Sequence, residues 1–314
     1  MTARLDGLVA ATVLPMNAQG DPDESGLRRY IRWIADQGVA GVAVNVDTGE
    51  GPHLTQSERV RILEVVREEL PKSITLVAGL SGPFTAQAVA QARDYKAIGV
   101  DALLVFPIPA YLSAPLDPQI PVRYHAAIAR VGLPLILFQL QPALGGVNFD
   151  QPTLRQLCSI DGVAAIKEAS FDARRYMDTV ATVRSMPRPI IMLTGNDNFI
   201  YESFLFGADG ALIGFGAIMT REQVQLIELA KSQKYEAAGA LGRRVQALAD
   251  VVFAPPVANY RARLKEGLVM LGVLEHAYVR EPLLPISDDE RRRLRTALVD
   301  AALLAPSGMA RVAS

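Results

Sequence analysis

Short apolar runs alternate with longer amphipathic segments through the first two-thirds of the chain. Residues 7–14, 39–46, 74–79, 102–106, 133–140, 163–167, 189–193 and 210–214 are nearly continuous in apolar side chains and read as strands covered on both faces. Between them, residues 24–37, 56–69, 85–98, 120–130, 152–159, 174–185 and 199–206 carry apolar positions at helical spacing. After Met219 the strand signal stops, and residues 221–232, 235–253, 260–271 and 288–304 read as helices. Thr55/Glu58, Thr220/Gln223 and Ser287/Glu290 have the spacing of capping boxes at three helix starts. Strictly alternating strands and helices predict a parallel sheet, and eight strands are the number that closes a barrel. The expected fold is therefore α/β, a (β/α)8 TIM barrel over residues 1–219 that carries the active site, with a C-terminal helical extension over 220–314. The tail after Pro306 is expected to fray. An open doubly wound sheet usually shows a glycine fingerprint after its first strand, and Leu14-Pro15-Met16-Asn17 offers none.

One residue stands out against this pattern. Lys167 ends the apolar run Val163-Ala164-Ala165-Ile166, where a lone cation needs a reason to be. A lysine at a strand end can snorkel into solvent. In a dry site its ammonium pKa falls instead, and the neutral amine can attack a ketone to form an imine. The C-terminal ends of barrel strands form the catalytic rim, and Lys167 lands there.

The same rule selects the other candidates. The second strand leads into Asn45-Val46-Asp47-Thr48-Gly49-Glu50, a turn whose hydroxyl and backbone N–H groups could hold a carboxylate. An ordinary loop is the equal alternative for Thr48 and Gly49, and Glu50 reads as structural. The fourth strand leads to Tyr111, and the fifth closes with Phe138-Gln139-Leu140-Gln141. The two glutamines share one strand face and could meet substrate hydroxyls if that face points inward. Gly195, Asn196 and Asp197 follow the seventh strand, and Leu212 lies on the eighth. Lys167, Asp47 and Tyr111 are the catalytic candidates. Thr48, Gly49, Phe138, Gln139, Gly195, Asn196 and Leu212 are the candidate substrate contacts.

Composition narrows the options. The 314 residues include 32 basic and 33 acidic side chains, a balance without the basic footprint of a nucleic-acid or anionic-membrane binder. Cys158 is the single cysteine, and His53, His125 and His276 are far apart. No metal site and no disulfide are expected. The first six residues lack an apolar signal region and no apolar run approaches membrane-spanning length, so a cytoplasmic protein is expected.

Together these residues resemble the dihydrodipicolinate synthase/N-acetylneuraminate lyase family of Schiff-base class I aldolases. The resemblance runs from about residue 8 to residue 298. It rests on Thr12-x-x-Pro15, on Thr48-Gly49-Glu50 with Glu58 downstream, and on Ala78-Gly79 followed by Thr85. It continues through Ile166-Lys167-Glu168-Ala169, Gly195-Asn196-Asp197 and Gly207-Ala208-Asp209-Gly210, then Arg263-Leu264-Lys265 and Arg280-Glu281-Pro282-Leu283-Leu284-Pro285. It implies that Lys167 is the imine-forming residue and that Thr48 and Gly49 bind the carboxylate of a 2-oxo acid such as pyruvate. It also implies no cofactor beyond the covalent imine, and a homo-oligomer, dimer or tetramer.

The departures are specific. The family's Tyr-Asn-x-Pro motif, whose tyrosine shuttles protons, reads Phe138-Gln139-Leu140-Gln141 here, and Phe138 has no hydroxyl. The arginine that synthases use for the second substrate's carboxylates falls on Ala143, and Asp47 replaces the first threonine of the strand-two turn. The expectation is a Schiff-base lyase, aldolase or dehydratase, acting on a 2-oxo acid or 2-keto-3-deoxy sugar acid, with Asp47 or Tyr111 carrying protons. The alternatives are a synthase with an altered proton relay, or a retired barrel that binds a metabolite.

Overall fold

The computed structural model describes residues 3–112 and 115–305. Eight parallel strands close into a barrel in sequence order: β1 Leu8–Ala11, β2 Gly41–Val44, β3 Thr75–Leu80, β4 Ala102–Val105, β5 Leu135–Leu140, β6 Val163–Ala169, β7 Ile191–Thr194 and β8 Gly210–Ile213. The closing pair sets Val9 beside Leu212. Helices α1 Glu24–Ala35, α2 Gln56–Glu69, α3 Thr85–Ile98, α4 Gln119–Ala129, α5 Gln151–Cys158, α6 Ala173–Arg184, α7 Ile200–Leu205 and α8 Thr220–Lys231 follow the strands. α8 packs against α7 and β1 and completes the outer ring, while α9 Tyr235–Val252, α10 Tyr260–Met270 and α11 Asp288–Asp300 pack on one another beyond it. The expected barrel and C-terminal helices are both present, but α8, which a boundary at 219/220 assigns to the extension, packs as the eighth helix of the barrel, and the extension proper begins at α9. The tail beyond Pro306 lies outside the described residues.

Period-two alternation sorts the apolar side chains into two layers. Val9, Ala43, Val77, Leu104, Ile136, Ala165, Leu193 and Leu212 fill the barrel interior. Their neighbours along the strands, such as Val42, Leu103, Leu137 and Ile166, pack outward under the helices. A bulge between β5 and β6 sets the phase at the key position: Leu135 pairs with Val163 and Ile136 with Ala165, so Ala164 is an extra residue. Val163 therefore packs outward, Ala165 inward, and Lys167 shares the inward face at the end of the strand. Without the bulge, Val163 and Lys167 would share a face.

Two of the three expected capping boxes form, Thr55 with Glu58 and Ser287 with Glu290. The third does not. Met219 is the N-cap of α8, in a left-handed conformation, and Thr220 instead donates to the Gly216 carbonyl. Gln223 turns back to donate to the carbonyls of Phe215 and Ile218. The turn after β8 is buried, so its carbonyls need donors more than the helix start needs a second cap.

Candidate active site

At the C-terminal end of the barrel, a cavity is lined by Lys167, Asp47, Thr48, Asp197, Gly195 and Gly214, with walls of Val46, Phe138, Leu140, Leu144, Ala169, Phe171, Phe253, Val257 and Tyr260. Lys167 is 9% exposed and has no ion pair or hydrogen bond to its amine among the described residues. The amine lies 4.4 Å from the ring centroid of Phe138, its lateral partner on β5. Burial pulls its pKa down to about 8, against the weaker opposing pull of Asp197 and Asp47. A ring face and two carboxylates that make no ion pair with the amine are a thin replacement for water. Near neutral pH a useful fraction of the amine is thus unprotonated and nucleophilic.

Gly195 makes room for this side chain. A Cβ there would come within 2.6 Å of Lys167 Cε and 2.8 Å of Ala169 Cβ, so only glycine lets the lysine extend across the mouth. Asp197, two residues on, is buried and accepts the Phe215 N–H at 2.9 Å. Burial raises its pKa to about 6, with that N–H and Lys167 acting in the opposite sense.

The turn after β2 is held from the far end of the chain. Asn45 and Glu50 both adopt left-handed conformations, which fold Asp47–Gly49 into a 3₁₀ turn. Glu50 is fully buried, paired with Lys265 of α10, and accepts the Arg280 N–H at 2.8 Å. Lys265 also donates to the Tyr278 carbonyl at 2.7 Å. Asp47 is held by Arg261, whose Nε donates to its carbonyl at 2.8 Å and whose guanidinium pairs with Oδ1. Its other oxygen accepts the Tyr260 hydroxyl at 2.7 Å. The extension therefore positions the turn and, through Phe253, Val257 and Tyr260, forms one wall of the cavity.

The candidates read from sequence divide clearly. Lys167, Asp47, Thr48, Phe138 and Gly195 come together at the cavity. Gln139 does not. Because Phe138 faces inward, Gln139 points under the helices, donating to Thr179 Oγ1 at 2.9 Å and accepting the Phe149 N–H at 3.0 Å. Asn196 is likewise a buried bracket, bonded to Glu168 Oε2 at 2.8 Å and to the Phe171 N–H at 2.7 Å. Leu212 sits in the barrel core below Gly214, off the cavity lining. Gly49 is packed against the Thr12 carbonyl, and its N–H is already donated to Val46 at 3.1 Å. Tyr111 is buried among Tyr124, His125 and Phe149, away from the cavity. Tyr260 and Phe253 were not anticipated. They lie more than two hundred residues from Asp47, and only the aromatic pair flanking Pro255-Pro256, with Arg261 adjacent, hinted at a packed corner.

A barrel whose rim holds a buried, unpaired, partly neutral amine beside a carboxylate is the arrangement of a class I aldolase-type lyase. The family model for the dihydrodipicolinate synthetase family matches residues 4–301. The chain belongs to that family, whose enzymes work through a lysine Schiff base and need no external cofactor. A 4-hydroxy-tetrahydrodipicolinate synthase of Methylobacterium radiotolerans is 30% identical over 303 residues, 96% of this chain and 97% of that protein. The corresponding protein of Gluconacetobacter diazotrophicus is 28% identical, covering 96% and 99%. Among solved structures, dihydrodipicolinate synthase of Agrobacterium tumefaciens superposes with a TM-score of 0.85 at 26% identity, covering 95% of this chain and 98% of that one. The chloride-inhibited enzyme of Acinetobacter baumannii, complexed with pyruvate, gives 0.84 at 25%, covering 95% and 99%. No helix among the described residues is long and apolar enough to cross a membrane.

Proposed function

We propose that this chain is a lyase that joins pyruvate or a close 2-oxo acid to Lys167 as an imine and makes or breaks a bond beyond the carbon next to it. The single observation that carries this reading is the buried, unpaired amine of Lys167, lowered to about pKa 8 and opening onto a cavity. The iminium withdraws electrons from the adjacent carbon, so either aldol cleavage or loss of a hydroxyl passes through the same enamine. The pyruvate complex of the Acinetobacter relative supports pyruvate as the imine-forming half. In this reading Thr48, which lines the cavity, meets its carboxylate.

The other half of the substrate is apolar in this reading. Beyond Lys167, Asp47, Thr48, Asp197 and Tyr260, the cavity is lined by valine, leucine, phenylalanine, alanine and two glycines. A sugar hydroxyl buried there without a partner costs about 1–3 kcal/mol, and a second carboxylate costs more. Aspartate semialdehyde fits poorly for the same reason, and Ala143 stands where synthases carry their arginine. A cytoplasmic homo-oligomer completes the proposal, by analogy with the family. The test is pyruvate release from 4-hydroxy-2-oxo acids that differ at C4, coupled to lactate dehydrogenase. Aryl or alkyl substituents are expected to outrun polyhydroxylated ones, and Lys167→Ala to abolish release. Faster release from the sugar-like compounds overturns the choice of partner, and release that survives Lys167→Ala overturns the mechanism.

A further inference from the structure

A Schiff-base enzyme needs a group that moves protons beside the imine, and Phe138 removes the tyrosine that relatives carry on the fifth strand. The replacement sits in the same cavity, on a different element. We propose that Tyr260, supplied by the C-terminal extension, is the proton carrier of this site and that Asp47 is its relay partner. This inference rests on the Schiff-base reading above.

The geometry narrows the choice to this residue. Among the groups lining the cavity, the walls of valine, leucine and phenylalanine cannot titrate, and Lys167 is committed to the imine. Asp197 accepts the Phe215 N–H on one oxygen and is buried, and no hydrogen bond among the described residues leads from its carboxyl to solvent, whereas Asp47 is part-exposed. Thr48 is a neutral hydroxyl 3.4 Å from Tyr260 Oη. Tyr260 opens α10, is almost fully buried, and stacks on Phe253 with ring centroids 4.9 Å apart, so its phenol has little freedom. Its hydroxyl donates to Asp47 Oδ2 at 2.7 Å, while Arg261 holds Oδ1 and the backbone carbonyl of the same aspartate. The carboxylate is thus fixed with one oxygen free for the phenol. Burial and the neighbouring carboxylate hold the phenol far above its ordinary pKa, so it rests protonated, its proton directed at Asp47.

A phenol that passes its own proton on can accept another without becoming a free phenolate. With pyruvate held on Lys167, a C3–H bond breaks and its electron pair forms the C2=C3 double bond of the enamine. The C=N π pair returns to nitrogen. The C3 proton goes to Tyr260 Oη as the phenolic proton moves to Asp47 Oδ2. Protons and electrons balance, and the reverse sequence delivers a proton from Asp47 through Tyr260 to C3. Asp47, with its side chain 36% exposed, then exchanges that proton with water.

The experiment uses the full-length protein and pyruvate alone, so it needs no knowledge of the second substrate. Exchange of the pyruvate methyl protons in D2O is followed by NMR, and imine formation is measured separately by borohydride trapping. In Tyr260→Phe the ring stack is kept, so trapping is expected to stay within about twofold of wild type while exchange falls by roughly 10²–10⁴-fold. Adding Phe138→Tyr to that variant, which returns a phenol to the fifth strand, is expected to recover at least about tenfold of the exchange. Exchange in Tyr260→Phe within about threefold of wild type overturns the relay. Equal losses of trapping and exchange also overturn it, since Tyr260 would then only position Lys167. If wild type traps no pyruvate at all, the Schiff-base reading falls first and takes the relay with it.

Discussion

Replacing Lys167 with methionine is expected to make the protein more stable near neutral pH, although it removes the residue on which activity depends. The amine titrates near 8 in the folded chain and near 10.5 when unfolded, so folding at pH 7 places a charged group where it is poorly solvated. The direction follows from proton counting. Between pH 8 and 10.5 the unfolded chain binds more protons than the folded one, so wild-type stability rises with pH across that window. Below pH 8 the full penalty is present, and the drop from 10.5 to about 8 corresponds to about 3 kcal/mol. Methionine keeps the length and packing of the lysine stem without the charge. Asp197 loses its nearby cation in the variant and takes up a proton more readily, which absorbs part of the gain. A net gain of about 1–3 kcal/mol at pH 7 is expected, equivalent to several degrees in Tm for a chain of this size. Paired denaturation curves of wild type and Lys167→Met at pH 7 and pH 10 measure it. The gap should shrink by at least half at the higher pH. A variant that is equally or less stable at pH 7, with no change in the gap at pH 10, refutes the claim that the folded site depresses this amine.

Four other outcomes follow from the same geometry. The rate of imine formation with pyruvate should climb as pH rises through about 8, because the neutral amine is the attacking form; a pH-rate profile flat from 6 to 10 contradicts this. Gly195→Ala should cut trapping by roughly tenfold or more, since its Cβ would displace Lys167 Cε from 2.6 Å, while a variant that traps normally shows the lysine does not need that space. Glu50→Gln should cost about 3–5 kcal/mol in urea denaturation by leaving Lys265 charged and unpaired in the interior; a loss under about 1 kcal/mol would mean the pair is not a clamp. Gln139→Leu should lower stability by about 1–3 kcal/mol yet leave trapping unchanged, because its amide bonds Thr179 and Phe149 outside the barrel; loss of trapping would place it back at the mouth.

The barrel was legible because it is written in a local code. Apolar runs and helical periods fix element type, and α2 and α3 fall where their spacing predicts them. The lysine at the end of the sixth strand could be read as a rim residue for the same reason. Side-chain facing was harder. The alternation that sends Phe138 inward must send Gln139 outward, but the phase of β6 depends on a bulge at Ala164 that no local signal announces. Asn196 looked like a substrate contact because it is polar at a strand end, and it proved to be a bracket for Glu168 and Phe171. The wall from the extension left only the hint of an aromatic pair flanking Pro255-Pro256, because the Tyr260–Asp47 and Lys265–Glu50 contacts join segments separated by most of the chain. Local pattern locates a rim; long-range packing decides what faces it.

The most direct measurement is incubation with pyruvate and borohydride, followed by proteolysis and mass mapping of the reduced adduct. One N-(1-carboxyethyl) modification is expected, on the peptide bearing Lys167 and absent from Lys167→Met. An adduct on some other lysine, or an unmodified Lys167 peptide at saturating pyruvate, would contradict it.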